Sequence, residues 1–391
     1  MKLNIGYLLL HDQKFSGWRL DDFVFQRYHF AKDYAERVGK MGNNVVLFTF
    51  HQDLGEVKEF CLDGYTLKVF PVKFRFPPLA LIGNSHNLEI IKELGDFEIV
   101  HFHNYYFWSF ALMLFAKRRH SGWRLVAQYH GEPELQTIGK FVHRPFFGVV
   151  DKFLVASNEE IYWLRRLRVD QNKILNFPNV GVDTSQFRRL SEKEDVPHFI
   201  YAGRMTLRPR TLKEQNPWFI LEIVRRLRKK YGNNFKVLMV GDGPGFNALK
   251  SFSRNLGLEE NVKFLGFVPH HLLPNLYSKC ILAFAPTAMS DLNPLWGGAL
   301  KEALACETAV AGFNAYVKSY WGAKRRFGLL LPTDADKAAE FLCMALKDWD
   351  FLVKAGVFGK RFIAEYCSWE KVVERLLEIY RSLLSSFKME I

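Results

Sequence analysis

The sequence predicts an α/β protein built from two doubly wound parallel sheets, one following the other along the chain. Three observations lead there. Short apolar runs alternate with helical patterns from the first residues onward, the alternation pauses at the polar segment SEKEDVP (191–197), and it then restarts. The third is length, since 391 residues exceed what one hydrophobic core usually serves.

The N-terminal run MKLNIGYLLLH carries one lysine and no small-residue cleavage site, so it reads as a first strand over 3–10 and not as a signal sequence. A helix is expected over 21–38, with an apolar stripe of Phe30, Ala31, Tyr34 and Val38, ended by Gly39 and Gly42. A strand follows over 45–50. The segment between the first strand and this helix contains Gly17, at a carboxyl end of the sheet where open α/β folds bind ligands. It has no GxGxxG, so a dinucleotide site is not supported. Strands over 99–103, 125–129 and 153–156 continue the series, and ILNFPNVGVD (174–183) closes it with turns.

The composition shift at SEKEDVP places the domain boundary between 190 and 191. Strands over 198–201, 236–240, 262–264, 281–285 and 308–311 follow, with a helix over 217–230 that opens on Pro217. The last helix, over 369–384, repeats apolar residues from Trp369 to Leu384 behind Ser368 as N-cap.

The formal charge of +13 bears on partners and not on fold: phosphorylated ligands, anionic membrane surfaces and nucleic acid all suit it. Five scattered cysteines without a CxxC pair argue for a reducing compartment and against a zinc site. The apolar run over 105–116 is too short to span a bilayer, so a cytoplasmic protein, soluble or peripheral, is expected. The basic runs read by default as solvated helix faces. Lys117, Arg118 and Arg119, beside Trp123 and after the aromatic YYFWSF, form the candidate for an anionic membrane surface.

DLNPLWGGALKEALAC (291–306) reads as a loop feeding a helix N-terminus. The first amides of such a helix lack partners and the macrodipole adds positive charge, so a phosphate fits the Gly297-Gly298 backbone. Glu302 lies about one turn in, facing whatever that phosphate carries. The bland alternative is a tight turn and a solvated glutamate.

The second half holds, in fixed order, YAGR (201–204), Lys213 before Asn216-Pro217, VGDGP (240–244), FLGFVP (264–269), Leu276-Tyr277 and KEALAC (301–306). With YHGE (129–132) and PNVGVD (178–183), this set resembles the family 4 retaining glycosyltransferases over nearly the whole chain. The resemblance implies the GT-B fold: an acceptor-binding N-terminal domain (1–190), a nucleotide-sugar-binding domain (191–367), a cleft between them, and a final helix (368–391) crossing back. It implies transfer of a hexose-type sugar from a nucleoside diphosphate sugar to a glycan or lipid-linked hydroxyl acceptor, without a metal or further cofactor.

By the same resemblance Arg204 and Lys213 hold the donor diphosphate, as a forked guanidinium and a movable ammonium can. Surface charge is the alternative, more serious for Lys213, whose loop also carries Arg208 and Arg210. Glu302 matches the second glutamate of the family's pair and would accept from the ribose diol. The first falls on Pro294, so its role passes to Asn293 or Asp291, or is lost. Glu307 stands where the family has glycine. His130 matches the active-site histidine, against the alternative of a structural one. Glu132 is a nearby candidate base that no family motif assigns. Gly241, Gly266 and Val268 would line the nucleotide site, or serve as turn residues. Asp334 and Asp336 have a DxD spacing, but their position before a helical run favours capping. Two rival readings remain: a sugar-nucleotide-binding protein without catalysis, raised by Pro294 and Glu307, and a transferase acting on nucleic acid, raised by charge alone.

Overall fold

The computed structural model of the chain describes residues 2–13, 19–25, 29–72, 86–103, 116–118, 120, 122–128, 130, 147–207, 216–285, 297–314 and 316–388. They form two compact units, Met1–Asn179 with Val372–Ile391, and Val180–Lys371.

The first unit contains an eight-stranded sheet in the order β3-β4-β2-β1-β5-β6-β7-β8. The strands are β1 (Asn4–Asp12), β2 (Asn44–His51), β3 (Lys58–Leu62), β4 (Tyr65–Pro71), β5 (Ile99–His103), β6 (Arg124–Gln128), β7 (Lys152–Val155) and β8 (Ile174–Asn176). All neighbours are parallel except β3 and β4. Every residue of β5 is buried, as expected of a parallel strand covered on both faces. The antiparallel β3–β4 pair had a sequence signal that the βα alternation obscured: Asp63-Gly64, a two-residue hairpin turn with Gly64 at φ +88°.

The single helix expected over 21–38 is two, Leu20–Phe25 and Phe30–Lys40. His29 is extended at φ −147°, which ends the helical run before Phe30. Lys32 Nζ reaches back to donate to the carbonyls of Phe23 and Val24, at 2.7 and 3.0 Å, satisfying groups a helix end leaves open.

The second unit holds a seven-stranded sheet in the order β11-β10-β9-β12-β13-β15-β14. Its strands are β9 (His198–Ala202), β10 (Lys236–Val240), β11 (Val262–Gly266), β12 (Leu282–Phe284), β13 (Ala309–Phe313), β14 (Lys324–Arg325) and β15 (Gly328–Leu331). Only the short edge strand β14 is antiparallel. Side chains alternate between two cores: Phe199 and Tyr201 enter one with Ile220, Val224 and Leu342, while Ile200 enters the other with Ala303, Leu304 and Tyr277. The helix Pro217–Tyr231 starts as its sequence predicts, with Pro217 in the first turn and the Asn216 side chain accepting the Phe219 amide at 3.1 Å.

The division between units falls at Asn179/Val180, ahead of the polar segment that suggested 190/191. That segment lies wholly in the second unit. Lys193 within it donates to the Cys280 carbonyl at 2.7 Å and to Thr308 Oγ1 at 3.0 Å, and its burial lowers the ammonium to about 8. Lys193 thus tethers the polar segment to the second sheet, where sequence composition suggested a linker. The final helix, Trp369–Lys388, is capped by Ser368, whose Oγ accepts the Lys371 amide at 3.3 Å. From Val372 onward it groups with the first unit, where Tyr380 is fully buried.

Trp123 is not the surface aromatic that its basic neighbours suggested. It is 1% exposed within the first core, and Lys117 turns inward over its ring, 3.6 Å from Asp151, which also binds Arg124 at 3.0 Å. Lys117 and Trp123 are therefore committed to the fold and give no docking face. All five cysteines are free thiols, with Cys280, Cys306 and Cys367 buried. Among the described residues, no helix is long and apolar enough to cross a membrane.

Candidate functional site

In the second sheet, β9 is the first strand, with β10 on one side and β12 on the other, so the strand order reverses between β9 and β12. Ligands of open α/β folds bind outside the carboxyl ends at such a reversal. The loop after β9 carries Arg204, and the connection after β12 reaches the helix Gly298–Ala305.

Arg204 is exposed, and its carbonyl accepts from Tyr201 Oη at 2.8 Å. Its loop is fastened to the next strand-end turn by a backbone ladder: Gly203 N–H to Val240 O (3.0 Å), Met205 N–H to Asp242 O (2.9 Å) and Gly245 N–H to Met205 O (2.8 Å). Gly241 has φ +123°, and a Cβ there would stand 2.0 Å from the Gly203 carbonyl oxygen. Gly241 thus lets two loops meet backbone to backbone, a structural turn that fixes the Arg204 loop. Gly241 N–H continues the ladder to Gly266 O at 2.8 Å. Gly266 has φ +68° with open space where a Cβ would be, and Val268 is half-buried against the core.

Gly297 precedes the helix Gly298–Ala305 at φ +79° with no side-chain cap, and a Cβ on either Gly297 or Gly298 would approach no atom of the described residues closer than 3.9 Å. Among the described residues nothing crowds the first turn, as an anion on these amides requires. Glu302, in the second turn, is mostly buried, and its Oε1 lies 2.8 Å from His270 Nε2. A carboxylate only accepts, so His270 donates from Nε2 and leaves Oε2 for another donor. The His270 ring packs on Phe187 at 4.7 Å. This partner escaped sequence reasoning, because 32 residues separate the pair and the only signal was a histidine following FVP. The neighbouring Lys301 is buried, donates to Val180 O at 2.7 Å, and is lowered to about 8 by burial, so the helix is tied down on its inner face.

Glu307, where the resemblance expects glycine, adopts a glycine-like φ of +59°. Burial works to raise its carboxyl, but hydrogen bonds from Lys360 (2.6 Å) and Arg189 (3.2 Å) prevail and hold it below its ordinary value. Asp334 caps the helix Ala335–Lys347 by accepting the Lys337 amide at 2.9 Å, and Asp336 pairs with Arg226 at 2.9 Å. The DxD spacing is thereby accounted for by capping and an ion pair.

In the first unit, the carboxyl ends of β5 and β6 bring His103 and His130 together, with Nδ1 of the one 2.9 Å from Nε2 of the other. Phe30 stacks on His130 at 4.0 Å, and His101 stacks on His103 at 4.2 Å. His101 Nδ1 faces Tyr380 Oη at 2.5 Å, which donates to Tyr7 Oη at 3.3 Å. Burial pushes the imidazoles of His101 and His103 well below 6.5, and a proton on either would be repelled by one on a neighbouring histidine, so both are neutral near pH 7. His130 is therefore part of a packed histidine–tyrosine array, a feature that only the IVHFH strand foreshadowed. Gly17, Lys213, Asn293, Asp291, Pro294 and Glu132 lie outside the described residues.

Two family models match the chain: Glycosyltransferase Family 4 over 29–186 and Glycosyl transferases group 1 over 183–362. An uncharacterised glycosyltransferase of Methanocaldococcus jannaschii is 22% identical over 202 residues, 50% of this chain and 47% of that protein. A 2-deoxystreptamine N-acetyl-D-glucosaminyltransferase of Streptomyces fradiae is 33% identical over 75 residues, 19% of this chain and 17% of that one. The matches thus span at most about half the length of these curated relatives. Among solved structures, a sucrose-phosphate synthase of Thermosynechococcus elongatus has a TM-score of 0.67 at 18% identity, covering 98% of this chain and all of that one. Anabaena HepE in complex with UDP has a TM-score of 0.68 at 13% identity, covering 97% of this chain and all of that one.

Proposed function

Since the chain belongs to the family 4 glycosyltransferases of GT-B architecture, we propose that it moves a sugar from a nucleoside diphosphate sugar to a hydroxyl acceptor. The observation that carries this reading is the topology of the second sheet, in which the Arg204 loop follows β9 and the helix start at Gly297 and Gly298 follows β12, the two strands between which the order reverses. The diphosphate takes the helix amides and the Arg204 guanidinium, with Lys213 as a second cation. Glu302 accepts from the ribose through Oε2. The bond from the anomeric carbon to the phosphate oxygen breaks, the nucleoside diphosphate leaves with the electron pair, and Arg204 and Lys213 stabilise the charge that develops. The new bond joins the anomeric carbon to the acceptor oxygen, on the same face by the family resemblance, and the acceptor's hydroxyl proton passes to the departing diphosphate oxygen. His130 serves the acceptor domain. No metal or further cofactor enters the proposal, and the acceptor is lipid-linked or held at a membrane surface.

The neighbouring HepE structures with UDP and with UDP-glucose make uridine donors the first to try. The test is calorimetric titration with UDP, GDP and ADP, followed by transfer from the corresponding sugar donors to a panel of glycan and lipid acceptors. Nucleoside diphosphate release that depends on acceptor supports the reading. Tight nucleotide binding without release from any donor supports instead a sugar-nucleotide-binding protein, the alternative that Pro294 keeps open.

A further inference from the structure

We propose that the second unit docks on anionic phospholipid bilayers through a face made by the segment 321–327 and the helix Trp349–Phe362 with the turn after it. The membrane-surface acceptor proposed above needs such a face, and the one suggested by Lys117 and Trp123 is folded into the core of the other unit.

Exposed rings recur along this stretch. Trp321 is 77% exposed, Phe358 40% and Tyr366 45%. Phe327 joins them, with its ring 5.6 Å from Phe358 and 5.1 Å from Phe362, which in turn lies 4.9 Å from Tyr366. Residues 358, 362 and 366 recur every four positions, so the rings share one side.

Cations sit on this strip rather than beside it. Lys324 Nζ lies 4.6 Å from the Trp321 ring centre and 4.5 Å from that of Phe351, and the Arg326 guanidinium lies 5.6 Å from that of Phe358. Arg325, Arg326, Lys354 and Arg361 are exposed, and among the described residues none of the four makes an ion pair with a carboxylate. Lys324 is paired with Asp348, and Asp350 and Glu365 are the exposed acids of this stretch.

This chemistry selects the occupant. A protein partner would have to strip water from the cations that crown the rings, and charged groups are depleted from the cores of protein interfaces. A bilayer interface takes both at once, because tryptophan and tyrosine rings favour headgroup depth while arginine and lysine reach the lipid phosphates. The net charge of +13 adds long-range attraction to an anionic leaflet.

The test is cosedimentation with vesicles, without any sugar donor, so its failure is separate from failure of the transfer reading. The protein should pellet with phosphatidylcholine vesicles containing phosphatidylglycerol, and not with phosphatidylcholine alone, at about 0.1 M salt, where screening leaves contacts within about 10 Å effective. Reversing Arg325, Arg326 and Arg361 to Glu should lower the partition coefficient at least about tenfold, since each surface cation contributes a several-fold factor. Trp321→Ser with Phe358→Ser should weaken binding similarly while unfolding at the wild-type temperature. Equal binding to neutral and anionic vesicles, no binding to either, or binding unchanged by both sets of substitutions would overturn the proposal.

Discussion

Nε2 of His270 stands 2.8 Å from Oε1 of Glu302, so the carboxylate proposed to accept from a donor ribose is oriented by an imidazole on a different element. Hydrogen bonds to a charged group contribute about 1.5–3 kcal/mol. His270→Ala should therefore raise the Kd for the nucleoside diphosphate by roughly tenfold, and Glu302→Ala by more, in calorimetric titrations. The wild type should also prefer the ribonucleotide over its 2′-deoxy form, with the preference reduced in both variants. A preference that survives in Glu302→Ala would remove Glu302 from the ribose.

The backbone meeting of Gly241 and Gly203 makes a sharp stability prediction. At φ +123°, with a Cβ 2.0 Å from a carbonyl oxygen, Gly241→Ala combines conformational strain with a clash that only backbone movement relieves. A loss of about 2 kcal/mol or more is expected in urea unfolding, with the Arg204 loop displaced. Gly266→Ala, with φ +68° and open space around the added methyl, should lose only about 1 kcal/mol. Equal losses would mean that the close approach is not there.

His101 and His103 predict acid lability. Their folded imidazoles titrate well below 6.5 because of burial, whereas the unfolded chain takes up protons near that value. As pH falls below about 6.5 the unfolded state binds more protons than the folded one, so stability declines toward the folded values and is unaffected by these groups above. The urea midpoint should drop between about pH 7 and 5, and His103→Gln should flatten that drop. A slope unchanged by His103→Gln would show that this imidazole is not the neutral group its burial requires.

Much of this was legible before any coordinates. The βα alternation, its restart and the ordered motifs carried the fold, because strand and helix periods are local properties of sequence. What stayed hidden depended on distant partners. The link of His270 to Glu302 crosses 32 positions, Trp123 looked like a surface aromatic because basic residues adjoin it whereas Lys117 turns inward over its ring, and the approach of Gly241 to Gly203 joins residues far apart along the chain. Lys193 shows the same limit in reverse, since a charged residue in a polar run proves to be a half-buried tether. Glu307 departs from the expected glycine yet keeps a glycine-like backbone, with Arg189 and Lys360 pairing its carboxylate.

Turnover of a nucleoside diphosphate sugar by Arg204→Ala beside the wild type tests the central claim most directly. Release of nucleoside diphosphate should be acceptor-dependent in the wild type and roughly 100-fold or more slower in the variant, with the unfolding transition unchanged. Equal rates in the two proteins would contradict the assignment of the donor phosphate to the Arg204 loop.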